Sequence, residues 1–510
     1  MTSSHLSPTA LVTGFDFSTG SVKGLAFDLS GHSIAEVRLP TDLWTSGGVS
    51  ELNIGQLEGQ VRGALRAMAR RLRELGRLSD WQAVGISATH HTAGRIDRDG
   101  LQVRRAICWN DGTLAPHHAR GLQRLGGQAR VRELIGGPWA IRYSLSHLVK
   151  DEEALPAADW SRTWRILPHG PLVAGFMTGN FDVTSVSSAA STGMLDLRSA
   201  AWQPAMLDAL ADPAHRRMAL ESLPRVVDHL DPVGPISTAI CHELGIDPNR
   251  APLVFPTSDD QQAGLAGGGA VDAGQVAVIL GNSAVVNSSA SAPPATDSLD
   301  CMRLNWGPYL WMRCYTNGAQ FLDRVVGERP DWNALESRAR AVPAGCAGVR
   351  VMPFVHAEPS LGVNGPRFAW TPSEPADAGV RFRASLEALA CLIALGLRAH
   401  RENGQVVERV SVSGGIARCG LMLEILASMI GLPVYRLESH EGPALGAAAG
   451  ALAGIETVRA RESGHPQRHT MASAVARLVR LRPEPVNPDP ASTEAYVALL
   501  ARFEADIKSA

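Results

Sequence analysis

Apolar runs that alternate with short polar clusters divide the chain into predicted strands, turns and helices. Residues 11–17 and 22–28 are apolar and flank a cluster of small polar residues, a pattern that predicts a β-hairpin. Residues 54–75 carry apolar positions at helical spacing with arginines between them, which predicts an amphipathic helix. Residues 275–280 and 409–413 predict further strands, each followed by a turn that contains glycine. Strand–turn–strand and strand–helix units of this kind indicate an α/β protein.

The strand–turn–strand pattern with polar residues occurs near Asp16 and again near Gly281. Two such units in separate halves of the chain predict a duplicated architecture with a cleft between the halves. Residues 251–257 predict another strand. Residues 492–507 predict one terminal amphipathic helix that begins at a Ser/Thr cap.

Length and composition narrow the class of protein. A chain of 510 residues is too long for one core, which predicts two domains. The net charge of −2 argues against broad binding of nucleic acid or of an anionic membrane. No apolar run reaches the roughly 18–20 residues of a membrane helix, and the first ten residues lack the apolar core of a signal peptide. Seven dispersed cysteines without a C-x-x-C pair indicate reduced thiols and a cytoplasmic protein.

The segment DFSTGSVKG, which begins at Asp16, offers the groups that a phosphate needs. Backbone N–H groups of a tight turn, hydroxyl donors and a cation suit phosphate oxygens, and Thr19, Ser21 and Lys23 supply the side chains. Asp16 is placed to hold a magnesium ion, directly or through water. The same residue types are common in ordinary surface turns, so this segment alone leaves both interpretations open.

Adjacent carboxylates in TSDDQQAG, residues 257–264, follow a predicted strand and open a helix. A carboxylate at a strand end can take the proton of a hydroxyl that attacks phosphorus. Helix capping explains the pair equally well, with Ser258 or Asp259 as the N-cap. Both roles are compatible if Asp259 caps the helix and Asp260 acts as the base.

Two turns that contain glycine offer further places for a nucleotide. In ILGNSAVV, Gly281, Asn282 and Ser283 stand between apolar runs, an arrangement that can bind outer phosphates. In SVSGG, a strand ends in Gly414 and Gly415, which lets a flat or anionic ligand approach the backbone. Neither segment is a Walker or Rossmann motif, and plain turns remain open as interpretations.

Aromatic and hydrogen-bonding residues cluster in THHTAGRID and AICWNDGT. Polyol recognition uses aromatic faces with convergent donors and acceptors, which His91, Trp109, Asn110 and Asp111 supply. His90 is the weaker candidate of the histidine pair, because a single histidine is usually structural. The spacing places no second cluster of metal ligands near the pair.

Together, in this order and spacing, these segments resemble the FGGY carbohydrate kinases, whose fold is similar to that of the actin, Hsp70 and hexokinase group. DFSTGSVKG resembles the first phosphate motif of the family, SDDQQA its GDQQA segment, LGNSAVV its second phosphate motif and SGGIARCGLMLEILA its adenosine motif. Residues 175–197, GFMTGNFDVTSVSSAASTGMLDL, resemble the central segment. AICWNDGT, CYTNGA and DWNAL are most similar to xylulokinase segments within the family. The resemblance runs from about Leu11 to the terminal helix.

The resemblance implies an α/β fold with two actin-like (ribonuclease H-like) domains around a cleft. It places a sugar-binding domain at residues 10–265, an ATP-binding domain at residues 266–485 and a C-terminal helix at residues 486–510. It also implies ATP and Mg²⁺, and the analogy extends to a homodimer. Asp260 becomes the catalytic base, with Gln261 and His91 orienting the sugar, and Trp332 becomes a nucleotide contact.

The expected reaction is the phosphorylation of a ketopentose, D-xylulose to D-xylulose 5-phosphate. Asp259 stands in place of a family glycine, Asn282 in place of a threonine, and Thr113 where many members have arginine. These departures keep two alternatives open: a kinase for another ketose or polyol, such as ribulose or glycerol, and a catalytically weak sugar- or nucleotide-binding regulator. An actin-like ATPase that acts on proteins is disfavoured by the sugar-site segments.

Overall fold

The computed structural model describes residues 6–327, 330–439, 441–464 and 467–509. The strands up to residue 267 are β1 (Leu11–Phe17), β2 (Ser21–Asp28), β3 (Ser33–Pro40), β4 (Leu43–Ser46), β5 (Val49–Leu52), β6 (Trp81–Ala88), β7 (Ala93–Ile96), β8 (Gln102–Ile107), β9 (Arg165–Pro168), β10 (Val183–Ser185), β11 (Leu195–Asp196), β12 (Ala201–Trp202), β13 (Arg225–Val227), β14 (Gly234–Pro235), β15 (Leu253–Val254) and β16 (Ser258–Asp259). The α-helices of this part are α1 (Ile54–Glu74), α2 (Ala115–Leu125), α3 (Gln128–Ile135), α4 (Ser144–Ala154), α5 (Ala157–Arg162), α6 (His169–Thr178), α7 (Val186–Ala190), α8 (Pro213–Ser222), α9 (Thr238–Leu244) and α10 (Asp260–Gly267).

The remainder of the chain forms a second, similar set of elements. Its strands are β17 (Gln275–Leu280), β18 (Ala284–Ala290), β19 (Asp300–Arg303), β20 (Tyr309–Tyr315), β21 (Arg350–Phe354), β22 (Arg367–Thr371), β23 (Arg409–Ser413) and β24 (Val434–Arg436). Its α-helices are α11 (Ala319–Val326), α12 (Trp332–Arg340), α13 (Ala378–Glu402), α14 (Gly420–Ile430), α15 (Gly442–Glu462), α16 (Met471–Leu478) and α17 (Pro490–Lys508).

The two largest sheets repeat one topology. The first has the order β14-β15-β6-β1-β2-β3, with β16 also paired to β6, and the second has the order β19-β20-β18-β17-β23-β24. In each sheet an antiparallel hairpin, β1–β2 or β17–β18, is followed by a helix and a strand that returns parallel to the first strand of the hairpin. The predicted duplicated architecture, and both predicted hairpins, are confirmed.

Helix α1 covers the first sheet for the reason that its sequence predicts. Asn53 caps it, because the side-chain oxygen of Asn53 accepts from the N–H groups of Gly55 and Gln56. Its apolar residues recur every three to four positions and are buried: Leu57, Val61, Leu65, Met68 and Leu72. In the second half, α13 packs in the same way against its own sheet, and most of its residues from 382 to 397 are buried.

Helix α15 joins the two halves through direct backbone contacts. A Cβ atom on Gly14 of β1 would overlap the carbonyl oxygen of Ala444, and one on Gly85 of β6 would overlap that of Ala447. On the opposite side, a Cβ on Gly446 would overlap the carbonyl oxygen of Ala263 in α10. Only residues without side chains allow this approach, so the first sheet, α15 and α10 are held at backbone distance.

Two predicted elements differ from the structure. The predicted strand at 251–257 is reduced to β15, because Pro252 and Pro256 bracket it and proline cannot donate to a ladder. The predicted Ser/Thr cap of the terminal helix is wrong. Helix α17 begins at Pro490 and is capped by Asp489, which accepts from the N–H of Ala491 at 3.1 Å. None of the described helices combines the length and the apolar character that a membrane span requires.

Candidate active site

Asp16 lies near the end of β1, buried between the strands on either side. On β6, the hydroxyl of Ser87 donates to Asp16 Oδ1 at 2.8 Å, and on β2, Lys23 is its partner in register. Burial raises the pKa of Asp16 to about 6, although the charge of Lys23 and the Ser87 hydrogen bond act in the opposite direction. The predicted magnesium ligand is therefore a buried carboxylate with one oxygen held in place.

Lys23, the cation of the predicted phosphate segment, is paired with a carboxylate from the other half of the chain. Its Nζ lies 2.7 Å from Glu441 Oε2, at the residue that precedes α15. The turn before it is closed by Ser18, whose hydroxyl donates to the carbonyl of Ser21 at 2.8 Å, and Thr19 is half-buried in that turn. A phosphate that binds Lys23 would compete with Glu441.

The paired carboxylates 259 and 260 separate into the two roles that the sequence left open. Asp259 is the N-cap of α10, and its Oδ1 accepts from the N–H groups of Gln261 and Gln262 at 3.0 and 2.9 Å. Its Oδ2 accepts from the hydroxyl of Ser187 at 2.6 Å. The capping prediction for Asp259 is confirmed, and Asp260 is left as the first residue of the helix.

The Asp260 carboxyl has a raised pKa, a property that is common among groups that transfer protons. Burial raises its pKa well above the usual value, and the neighbouring charges of Asp259 and Asp16 raise it further. Among the described residues, Asp260 Oδ1 has no hydrogen-bond partner although it is buried. A buried carboxylate is an oxygen donor of the kind that Mg²⁺ prefers, so Asp16 fits the ion predicted for it.

Of the two adjacent histidines, His90 is the one beside the carboxylates. Its Nδ1 lies 3.6 Å from Asp259 Oδ1 and 4.0 Å from Asp260 Oδ1. His91, which the sequence favoured, stacks between the rings of His90 and Tyr143, at centroid distances of 3.8 and 4.2 Å. The sequence favoured His91 over His90 as the functional histidine, whereas the structure places His90 closer to the carboxylates. The contact of His91 with the sugar stays a prediction.

The sequence predicted no cluster of metal ligands near the histidine pair, and this prediction is wrong. The imidazole of His90 and the carboxylates of Asp259 and Asp260 have donor atoms that all lie within 4.8 Å of one another. The sequence could not show this, because residues 90 and 259 meet only when β16 pairs with β6.

The predicted sugar segment 109–111 forms a separate network. Asp111 is buried, and its carboxylate lies 3.1 Å from Lys150 Nζ, while Thr113 donates to its other oxygen. Lys150 also donates to the hydroxyl of Thr113 at 2.8 Å, so a lysine from α4 supplies a cation beside Thr113. Trp109 is half-buried and Asn110 is exposed. Among the described residues, no hydrogen bond joins this segment to Asp260 or His91.

A cavity of about 530 Å³ in the second half of the chain brings four of the nine predicted nucleotide residues together. Its lining includes Gly281, Asn282, Trp332, Gly415 and Arg418. Trp332 is exposed and lies 6.0 Å from the ring of Phe382, which leaves an indole face available to a flat ligand. Apolar walls with a few polar groups are typical of a small-molecule site.

Three further predicted residues lie at the border of this cavity or near α10. Gly414 has a left-handed φ of 96°, and a Cβ there would overlap the carbonyl oxygen of Leu280, so the turn requires glycine. Ser283 is hydrogen-bonded to Cys314 in the neighbouring strand. Gln261 Oε1 accepts from Asn287 Nδ2 at 3.0 Å, which ties the start of α10 to β18.

Sequence reasoning missed the residues that hold the predicted ones in place. Ser187 and Ser191 belong to the central segment 175–197, where their hydroxyl and carbonyl groups fix Asp259 and His91. Glu441 lies next to the small-residue helix α15. For the serines the signal was available in the run of hydroxyl residues, whereas nothing local distinguishes Glu441.

The features of a phosphotransferase site are present: a carboxylate with a raised pKa at a helix start, a second, buried carboxylate that influences it, and a cavity of nucleotide size. The model of the FGGY family of carbohydrate kinases, N-terminal domain, matches residues 11–267, and the C-terminal domain model matches residues 313–455. The chain therefore belongs to the FGGY family of carbohydrate kinases, enzymes that transfer a phosphoryl group from ATP to a sugar hydroxyl.

Individual relatives differ in the sugar that their names give. The chain is 23% identical to a xylulose kinase of Haemophilus influenzae, over 73% of this chain and 75% of the relative. It is 26% identical to an autoinducer-2 kinase of Enterobacter sp., over 96% of this chain and 92% of the relative. A crystal structure of a xyloylose kinase from Brucella ovis superposes with a TM-score of 0.83 at 20% identity, covering 98% of this chain and 99% of that one. The last match establishes the actin-like α/β fold with two domains.

Proposed function

We propose that the protein phosphorylates a ketopentose with MgATP, D-xylulose to D-xylulose 5-phosphate, and that Asp260 is the catalytic base. The observation that carries the proposal is the Asp260 carboxylate at the start of α10. Its side chain is partly exposed, its Oδ1 is buried without a hydrogen-bond partner among the described residues, and the charge of Asp16 helps to raise its pKa. Xylulose kinases among the similar proteins support the choice of sugar.

In the proposed mechanism, ATP lies in the cavity lined by Trp332 and Gly415, with its outer phosphates at the turns 18–21 and 281–283. Lys23 then exchanges its partner Glu441 for phosphate oxygens. The domain boundaries of this proposal are residues 10–265 for the sugar and 266–485 for the nucleotide, with the helix at 486–510 outside both.

Proton transfer is the step that this chain's residues perform directly. Asp260 takes the proton of the terminal sugar hydroxyl while that oxygen forms its bond to the γ-phosphorus and the bond to the ADP oxygen breaks. Its raised pKa suits this task, since a base is most effective when its pKa is near the working pH. Mg²⁺ would be held by Asp16, directly or through water, and would supply the positive charge that neutralises the phosphates.

The test is an ADP-release assay with MgATP across D- and L-xylulose, D- and L-ribulose, glycerol, fructose and no sugar. Turnover confined to D-xylulose is the expected result. Turnover on ribulose or glycerol would replace the sugar in the proposal. Tight sugar or nucleotide binding without any turnover would favour a regulator with the same fold.

Asp260→Asn is the variant that tests the base. We expect kcat to fall by about 10²–10⁴, because a positioned base is lost, while nucleotide affinity measured by titration stays within about twofold. The helix cap is retained in this variant, since Asp259 is unchanged. Unaltered kcat would remove Asp260 from the role.

A further inference from the structure

The imidazole of His90 is an unpartnered polar group placed between two carboxylates. Its side chain is 6% exposed, and neither ring nitrogen has a hydrogen bond among the described residues. The nearest acceptors to Nδ1 are Asp259 Oδ1 at 3.6 Å and Asp260 Oδ1 at 4.0 Å. Buried polar groups nearly always have a hydrogen-bond partner, so we expect the ring nitrogens of His90 to gain one when the site is occupied.

The ring of His90 is held rigidly in this place. It stacks on His91 with 9° between the planes, and His91 stacks on Tyr143 with 16° between them. His91 has a left-handed φ of 60°, and its Nδ1 lies 2.7 Å from the carbonyl oxygen of Ser191. A residue that accepts an unfavourable backbone conformation and is fixed on both faces acts as a support for its neighbour.

The two carboxylates beside His90 differ in their need for a donor. Asp259 already accepts from two backbone N–H groups and from the hydroxyl of Ser187. Asp260 Oδ1 has no donor among the described residues. A proton on His90 Nδ1 is therefore available to Asp260 Oδ1, and the bond requires that their 4.0 Å separation shorten to about 3 Å when the site is occupied.

We propose that His90 is a positioning residue, whose Nδ1–H holds the Asp260 carboxylate in the orientation that meets the sugar hydroxyl, and that the Asp259 carboxylate, 3.6 Å from Nδ1, favours the tautomer with the proton on that nitrogen. The inference rests on the proposed role of Asp260 as the base. Burial lowers the pKa of His90 against the effect of Asp259, which favours a neutral ring with a single N–H. The other charged groups that influence the ring are Arg142 and its partner Asp300.

The donor set also has the composition of a transition-metal site, but the hydrogen bonds favour positioning. Three donors of the protein occupy three of the about four lone-pair sites of the Asp259 carboxylate, which leaves one at most for an ion. Calorimetry with Zn²⁺ is therefore part of the second test below.

The first test compares His90→Leu with His90→Asn. Leucine fills the space but has no donor, whereas the amide of asparagine can place an N–H near the position of Nδ1. We expect His90→Leu to lower kcat by about 10–100-fold with the KM for ATP nearly unchanged, and His90→Asn to recover most of the loss. Tyr143→Phe, which keeps the outer ring of the stack and removes a hydroxyl that has no hydrogen-bond partner among the described residues, is the matched control and should leave kcat within about threefold. Equal losses in the two His90 variants, or a loss of the same size in Tyr143→Phe, would overturn the proposal.

The second test shows whether His90 acts through Asp260. In the Asp260→Asn background, His90→Leu should cause no further loss of kcat, and the shifts in Tm of the two changes should be non-additive. The coupling in Tm can be measured without turnover, so it remains informative if no sugar on the panel is phosphorylated and the proposed function fails. Additive shifts would contradict the proposal, as would calorimetric binding of Zn²⁺ to the wild type that His90→Leu abolishes.

Discussion

Replacing Asp16 by asparagine should make the protein more stable and its catalysis worse. Burial raises the pKa of Asp16 from 3.8 to about 6, so at neutral pH the folded state carries a charge that the fold disfavours. A shift of about 2 pH units corresponds to about 3 kcal/mol of free energy of unfolding. Asparagine is nearly isosteric, has no charge and can still accept the hydrogen bond of Ser87.

The gain in the free energy of unfolding from Asp16→Asn should depend on pH. Because the pKa of Asp16 is raised in the folded state, its contribution to stability is fully present below pH 3.8 and is lost as the pH rises through about 6. The variant should therefore gain little over the wild type near pH 4. The gain should grow between pH 4 and 6 and level off above pH 7 at up to about 3 kcal/mol.

Urea unfolding followed by tryptophan fluorescence, with EDTA and without nucleotide, measures the difference at each pH. Asp28→Asn, in the same hairpin, is the control with the opposite sign. Burial alone would raise the pKa of Asp28, but hydrogen bonds from the backbone of His32 and Ser30 outweigh it and the net shift is downward. A variant at Asp16 that is less stable at pH 7.5, or whose gain does not vary with pH, would refute the reasoning.

Three further changes test the nucleotide side. Gly414→Ala should lower the free energy of unfolding by about 1–3 kcal/mol, since it combines a left-handed φ with overlap on the Leu280 carbonyl; urea unfolding measures this, and wild-type stability would contradict it. Trp332→Ala should raise the KM for ATP about tenfold with Tm unchanged, because the indole is exposed and available for stacking. An unchanged KM would show that the adenine ring of ATP does not stack on Trp332. Glu441→Gln should lower the KM for ATP several-fold by releasing Lys23, and a higher KM would show that the pair assists binding instead.

Local patterns were sufficient to predict the elements that carry the site. The hairpins β1–β2 and β17–β18 follow from apolar runs around polar turns, and the cap at Asp259 follows from an acid placed between a strand and a helix. These features depend on neighbours within a few residues, which is the range over which sequence patterns act.

The residues that could not be predicted depend on contacts between distant parts of the chain. Lys23 and Glu441 are separated by 418 positions, and no periodicity connects them. The position of His90, rather than His91, beside the carboxylates depends on the backbone of His91, which has a positive φ that few non-glycine residues adopt. A pattern of letters in THHT cannot show which ring faces the carboxylates.

The backbone contacts of α15 bear on how such a kinase can be recombined. The main chain of α15 touches the main chains of β1, β6 and α10 at glycine and alanine residues. No side chain lies between the two halves at these contacts, so none can repack to accommodate a change. A chimaera that joins the first half of this chain to the second half of a relative must therefore reproduce the path of the main chain at Gly14, Gly85 and Gly446.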